Sequence, residues 1–170
     1  MHRATEHRPA SSWPADQAAG SVTLDYDARH RRRIRLSTDS GEDVLLDLPK
    51  AVAMAHGDGL LLADGRWLRV TAAREALIEM RTGNAARLAR IAWHLGNRHL
   101  PAEIGEGIIR IRPDHVIETM LLQLGAEVAH VSAPFQPEGG AYSGEQPHGG
   151  HGHGHDDHTH GHSHPHDNDH

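Results

Sequence analysis

The spacing of apolar residues changes twice along this 170-residue chain, and those changes set what each part can become. From Val22 onward the apolar positions recur every second residue: Val22, Leu24 and Tyr26, then Ile34 and Leu36, then Val44, Leu46 and Leu48. That period puts alternate side chains on one face of a strand. Leu60 to Leu62 and Trp67 to Val70 flank Asp64-Gly65, a dipeptide typical of tight hairpins. Residues 21–74 are therefore expected to form a small all-β N-terminal domain, a barrel or sandwich of about five short strands. Residues 1–20 are polar, contain Arg3, Arg8, Pro9 and Pro14, and hold no apolar run. They read as a disordered leader, neither a secretory signal nor a membrane span.

The first change falls near Arg74. Ala76 to Met80 is a short apolar strand. Asn84 then caps a helix with Leu88, Ile91, Ala92 and Leu95 on one face, stopped by Gly96. Two strands follow, about Leu100–Ile104 and Ile108–Arg112, joined by Gly105-Glu106-Gly107. Asp114 caps a second helix (Val116, Ile117, Met120, Leu121, Leu124) ending at Gly125, and a last strand runs from about Glu127 to Val131. The order β-α-β-β-α-β predicts a ferredoxin-like domain over 75–133. The second change comes after Pro134, where periodicity stops and Gly, Pro, Ser, Asp and His take over. Nothing in 134–170 can bury enough surface to offset the entropy of ordering, so a disordered tail is expected. The fold class is thus α+β, in two modules.

Composition narrows the chemistry. Aromatic residues make up only 4%, so the cores must be aliphatic, and there is no cysteine for a disulfide, thiolate ligand or thiol nucleophile. The net charge of −6 lies wholly in the tail, in Glu138, Glu145, Asp156, Asp157, Asp167 and Asp169. A neutral body with an acidic tail is not a nucleic-acid binder. The one basic cluster, Arg29 to Arg35, alternates with apolar residues as the wet face of a strand would. No stretch is long enough for a membrane helix, so the cytoplasm is the expected location.

Of 18 histidines, ten lie in the tail: His148, His151, His153, His155, His158, His160, His162, His164, His166 and His170. Imidazole is a borderline-soft ligand suited to nickel, zinc and copper. Spacings of two or three residues, with glycine between, let several rings converge on one ion, and the aspartates add oxygen donors. A flexible ligand mixture takes its geometry from the metal, so the tail has capacity without selectivity. His99 is a second candidate, beyond Gly96 where the chain turns toward a strand; in a two-fold dimer, two copies meet on the axis. His115 lies opposite the apolar stripe of its helix, exposed, with Glu118 one turn on as a carboxylate neighbour. His94 lies on the flank of the first helix, also exposed. His2, His7, His30, His56 and His130 carry no spacing argument.

The run His94-Leu95-Gly96-Asn97-Arg98-His99, followed by Pro101, resembles the signature of the urease accessory metallochaperones of the UreE family. Asp114-His115-Val116 is similar to that family's second recurring segment, and Leu60-Leu61-Leu62-Ala63-Asp64-Gly65 to its N-terminal domain. The likeness covers about residues 20 to 132. It implies a homodimer joined through its ferredoxin-like domains, with nickel held at the interface by His99 from both subunits. His115 and His94 match further, peripheral metal positions. Some members place another histidine two residues before the one matching His115; here that residue is Pro113, which implies a weaker or differently built peripheral site. The resemblance also implies delivery of Ni(II) to apo-urease, together with a nickel-inserting GTPase and the other accessory proteins.

No catalytic residues are evident, and no Gly-x-x-x-x-Gly-Lys-Ser/Thr exists; Lys50 is the only lysine. The expectation is a non-enzymatic nickel metallochaperone with Ni(II) as cargo, or Zn(II) or Cu(II) on the same donors. Two alternatives stand beside it. One is passive nickel or zinc storage in the tail. The other is a prolyl isomerase-type chaperone with a His-rich tail, which would need an aromatic-lined pocket, although Phe135 is the only phenylalanine.

Overall fold

The computed structural model describes residues 1–139, so the ten tail histidines lie outside the described residues. Six strands form the N-terminal sheet: β1 (His2–Arg8), β2 (Ala18–Leu24), β3 (Arg33–Ser37), β4 (Asp43–Asp47), β5 (Gly59–Leu62) and β6 (Trp67–Ala72). Their order is β2-β6-β5-β1-β4-β3. The expected disordered leader is therefore corrected. β1 lies inside the sheet, parallel to β4 (Ala4 opposite Leu46) and antiparallel to β5 (His7 opposite Leu60). Its backbone hydrogen bonds hold it in place, since Ala4 is its only core apolar residue.

The remaining core follows the period of two. Val22, Leu24, Leu36, Val44, Leu46, Leu48, Leu60, Leu62, Leu68 and Val70 are buried together with Met54. Each such side chain contributes roughly 1.5–3 kcal/mol. The sheet curls until the turn after β3 meets β2. Asp39 N donates to Ser21 O at 2.9 Å. Asp39 Oδ1 accepts from Thr23 N at 3.1 Å, and the Ser21 hydroxyl also binds the Asp39 carboxylate. Between β5 and β6 the predicted turn is present, with Gly65 at φ 88°.

The second sheet holds β7 (Arg74–Arg81), β8 (Ala102–Gly105), β9 (Ile108–Ile111) and β10 (Glu127–Pro134), in the order β10-β7-β9-β8 with every pairing antiparallel. With α1 (Ala85–Asn97) and α2 (His115–Gln123) this is the ferredoxin-like arrangement. Ile78, Met80, Ile109 and Ile111 of the sheet are buried with Ile91 and Leu95 of α1 and Ile117 and Leu121 of α2. Asn84 Oδ1 accepts from Arg87 N at 2.9 Å, and Asp114 Oδ1 from Val116 N and Ile117 N at 2.9 and 3.0 Å. Both caps stand where the sequence put them.

The reading of Arg29 as part of a wet strand face is corrected. It lies in a 3-10 turn (Ala28–His30) before β3 and is 2% exposed. Its guanidinium donates to Met54 O at 3.1 Å and to Phe135 O, joining the N-terminal sheet to the chain leaving β10. Burial holds this guanidinium below its ordinary pKa, opposed chiefly by Glu75. Phe135 is fully buried with its ring 5.3 Å from that of Tyr26. Here it is core, not the wall of an open aromatic pocket.

Candidate metal site

Both helices end in the same hydrogen-bond pattern. After α2, Gly125 N donates to Leu122 O at 3.0 Å and Ala126 N to Leu121 O at 3.1 Å, with Gly125 at φ 77°. After α1, His99 N donates to Gly96 O at 3.0 Å and Leu100 N to Leu95 O at 3.3 Å, with His99 at φ 54°. This is the Schellman closure, whose left-handed residue is usually glycine. At α1 that position is filled by histidine, the only non-glycine at positive φ among the described residues. Gly96, read as the stop, is instead inside the helix.

The left-handed region costs an L residue roughly 1–2 kcal/mol. The penalty is borne because the closing bonds and the neighbours fix the turn: Leu95 is fully buried and Leu100 packs against the same core. His99 itself is exposed. Its imidazole is thus carried at the apex of a rigid turn on a short side chain.

His115 is the first residue of α2, directly after the capping Asp114, and is exposed. The segments bearing His99 and His115 border one cleft of about 360 Å³, lined by Leu100, Pro101, Ile111, Arg112, Pro113 and Asp114. His94 departs from its expected exposure. It is half-buried, its ring edge-on to Trp93 at 5.0 Å, and its carbonyl accepts from Arg98 Nη1 at 3.0 Å. Among the described residues, no three His, Asp or Glu side chains converge as a ready-made metal cage.

Glu118 does not serve His115 as expected. Its Oε1 lies 2.8 Å from His130 Nε2 on β10. Sequence spacing gave His130 no role because the partners are 12 residues apart on different elements. The only signal available was that α2 and β10 are consecutive elements packed on one another.

The described residues thus form a β-rich first half and a ferredoxin-like second half that carries exposed histidines, a two-domain class of α+β protein. The comparisons narrow that class. Residues 1–73 match the family described as UreE urease accessory protein, N-terminal domain, and residues 75–167 match UreE urease accessory protein, C-terminal domain. The chain is 52% identical over 144 residues to Urease accessory protein UreE of Beijerinckia indica subsp. indica, covering 85% of this chain and 83% of the relative. It is 54% identical over 136 residues to that of Chelativorans sp., covering 80% and 85% respectively. It is 48% identical over 151 residues to that of Agrobacterium fabrum, covering 89% and 91%. The chain belongs to the UreE family of urease accessory proteins, and a role in urease maturation follows from that membership.

Proposed function

We propose that the protein is a metallochaperone that collects Ni(II) and donates it for assembly of the urease active site. The observation that carries this reading is His99, an exposed imidazole held at φ 54° where the equivalent turn after α2 has glycine. A histidine kept at a conformational cost is there for its side chain.

One imidazole cannot hold a cation tightly. A homodimer joined through the C-terminal domains would bring two copies of His99 to its axis. Trp93 and Val116, each 63% exposed, lie on the elements that carry His94 and His115, and such apolar surface favours burial against a second copy. His115 and His94 then act as peripheral donors, and the ten tail histidines as the collecting reservoir. Zn(II) and Cu(II) compete for the same nitrogen and oxygen donors, so nickel is selected by supply and partners. The partners are apo-urease, the nickel-inserting GTPase and the other accessory proteins, engaged in the cytoplasm, with the N-terminal domain as a partner-binding module. Imidazole and carboxylate ligands leave the ion exchangeable, which suits a donor.

The test is nickel calorimetry on the chain and on a version lacking residues 144–170. One tight site per dimer should survive the truncation and vanish in His99→Ala. Loss of all binding on truncation would instead establish passive storage. In cells lacking the protein, urease activation should be restored by the wild type and not by His99→Ala.

A further inference from the structure

Three histidines pair with carboxylates among the described residues, and two of these pairs are saturated. His2 lies 2.8 Å from Glu42 and 3.0 Å from Asp64, but Arg66 also binds both carboxylates, each at 2.9 Å, and a cation there would meet a fixed positive charge. His7 is 2.7 Å from Asp58, which is 4% exposed and also accepts from Ala10 N and Ala55 N at 3.0 and 2.8 Å. That carboxylate is buried and already takes three hydrogen bonds, which leaves a cation no open approach. Glu118 and His130 differ from both. No Lys or Arg pairs with Glu118 among the described residues, no backbone N–H is bonded to it, and the His130 side chain is 66% exposed.

We infer that Glu118 and His130 form a separate surface site for a borderline divalent cation, which replaces the proton shared between Glu118 Oε1 and His130 Nε2. The geometry suits that exchange. With metal–ligand bonds of about 2.0–2.1 Å, two donors at right angles stand about 2.9 Å apart. The present separation is 2.8 Å, so the two atoms are already at ligand–ligand spacing, and a tilt of the exposed imidazole away from the line to Glu118 turns both toward one ion. His115 supplies a third donor: it lies three residues before Glu118 on α2, and side chains at that spacing are neighbours on a helix surface. The three side chains do not converge as they stand; reorientation of the exposed His115 side chain toward Glu118 would complete an N,O,N set, with water in the remaining positions. The site rests on the proposed metal role for His115, and it offers a second ligand set where Pro113 leaves none.

The experiment is a Ni²⁺ titration of the full chain followed through backbone amide signals in NMR, where the paramagnetic ion broadens nearby resonances. Thr119 and Val131 report on this site, and Arg98 and Leu100 report independently on His99. The expected result is broadening of both sets in the wild type. In His130→Gln and Glu118→Gln the first set should stay sharp while the second still broadens. Broadening at Thr119 and Val131 that persists in both variants, or is absent from the wild type, would overturn the inference. Sharp Arg98 and Leu100 signals would count against the His99 reading alone.

Discussion

Arg110 and Glu79 stand directly opposite one another on β9 and β7, and Arg110 Nε donates to Glu79 Oε2 at 2.8 Å. Arg81 adds two bonds to the other Glu79 oxygen, at 2.9 and 2.7 Å, and Arg110 reaches on to Glu103 of β8 at 2.9 Å. A ladder of alternating charge thus crosses three strands, and Glu79 within it is only 6% exposed.

The first prediction concerns acid. The hydrogen bond from Arg110, supported by Arg81, holds the Glu79 carboxyl below its ordinary value of 4.5, against the opposing effect of burial. A depressed folded-state pKa contributes stability that is fully present above the unfolded value and is lost as pH falls through the folded one. The urea midpoint should therefore fall as the pH drops below the ordinary carboxyl value of 4.5, and Glu79→Gln should flatten that slope. Arg110→Ala should cost about 1–3 kcal/mol at neutral pH by leaving the carboxylate short of a donor. An unchanged slope in Glu79→Gln would remove Glu79 from the account.

At His99, stability and metal retention should separate. His99→Gly relieves a left-handed penalty of about 1–2 kcal/mol and adds unfolded-state freedom of similar size, so its urea midpoint should barely move. His99→Val should be destabilised by a further 1–2 kcal/mol or so, because a β-branched residue fits that region poorly. Both should lose the proposed tight nickel site in calorimetry. Retention of that site in His99→Gly would show that the turn, and not the imidazole, matters.

These outcomes bear on what the sequence disclosed. The ferredoxin-like half was legible because its signals are local: Asn84 and Asp114 cap within three residues of themselves, and helical spacing is read within a dozen. β1 was not legible. Among His2 to Arg8 only Ala4 enters the core, so the apolar pattern is silent, and its partners β4 and β5 lie some forty to sixty residues away. Arg29 was misread for the same reason, since its acceptor Phe135 O is 106 residues distant. His99 was found as a candidate by its place after a helix. Its backbone conformation was hidden, because Gly96 offered a plausible but wrong stop.

Arg29→Met should be among the most damaging substitutions outside the aliphatic cores. It strips two buried carbonyls, Met54 O and Phe135 O, of their donor. An unsatisfied buried acceptor costs about 1–3 kcal/mol, so the expected loss is about 2–4 kcal/mol in urea unfolding. Arg29→Lys should recover only part of it, because one ammonium does not reproduce the guanidinium fork. A loss below about 1 kcal/mol would mean that water replaces the guanidinium.

Gly59→Ala tests the indole that lies over β5. A Cβ at Gly59 would fall well inside contact distance of Trp13. The Trp13 ring stacks on Trp67 at a centroid distance of 5.5 Å, and its Nε1 donates to Gly57 O at 3.0 Å. Overpacking of this kind costs about 1–3 kcal/mol, and the displaced ring should shift the tryptophan fluorescence maximum to the red. An unaltered spectrum would show that the chain absorbs the methyl elsewhere.

The interior position of β1 also imposes an order on biosynthesis. His2–Arg8 leaves the ribosome when neither β4, beginning at Asp43, nor β5, beginning at Gly59, has been made. At about 5–20 residues per second the strand waits roughly 3–10 s for its second partner. Both of its backbone edges are open to any passing chain until β4 follows, and one stays open until β5 arrives. A hydrophobic strand would be an aggregation hazard over such a delay. The composition His-Arg-Ala-Thr-Glu-His-Arg, charged on both sides of a single alanine, keeps the nascent segment soluble until the sheet closes around it.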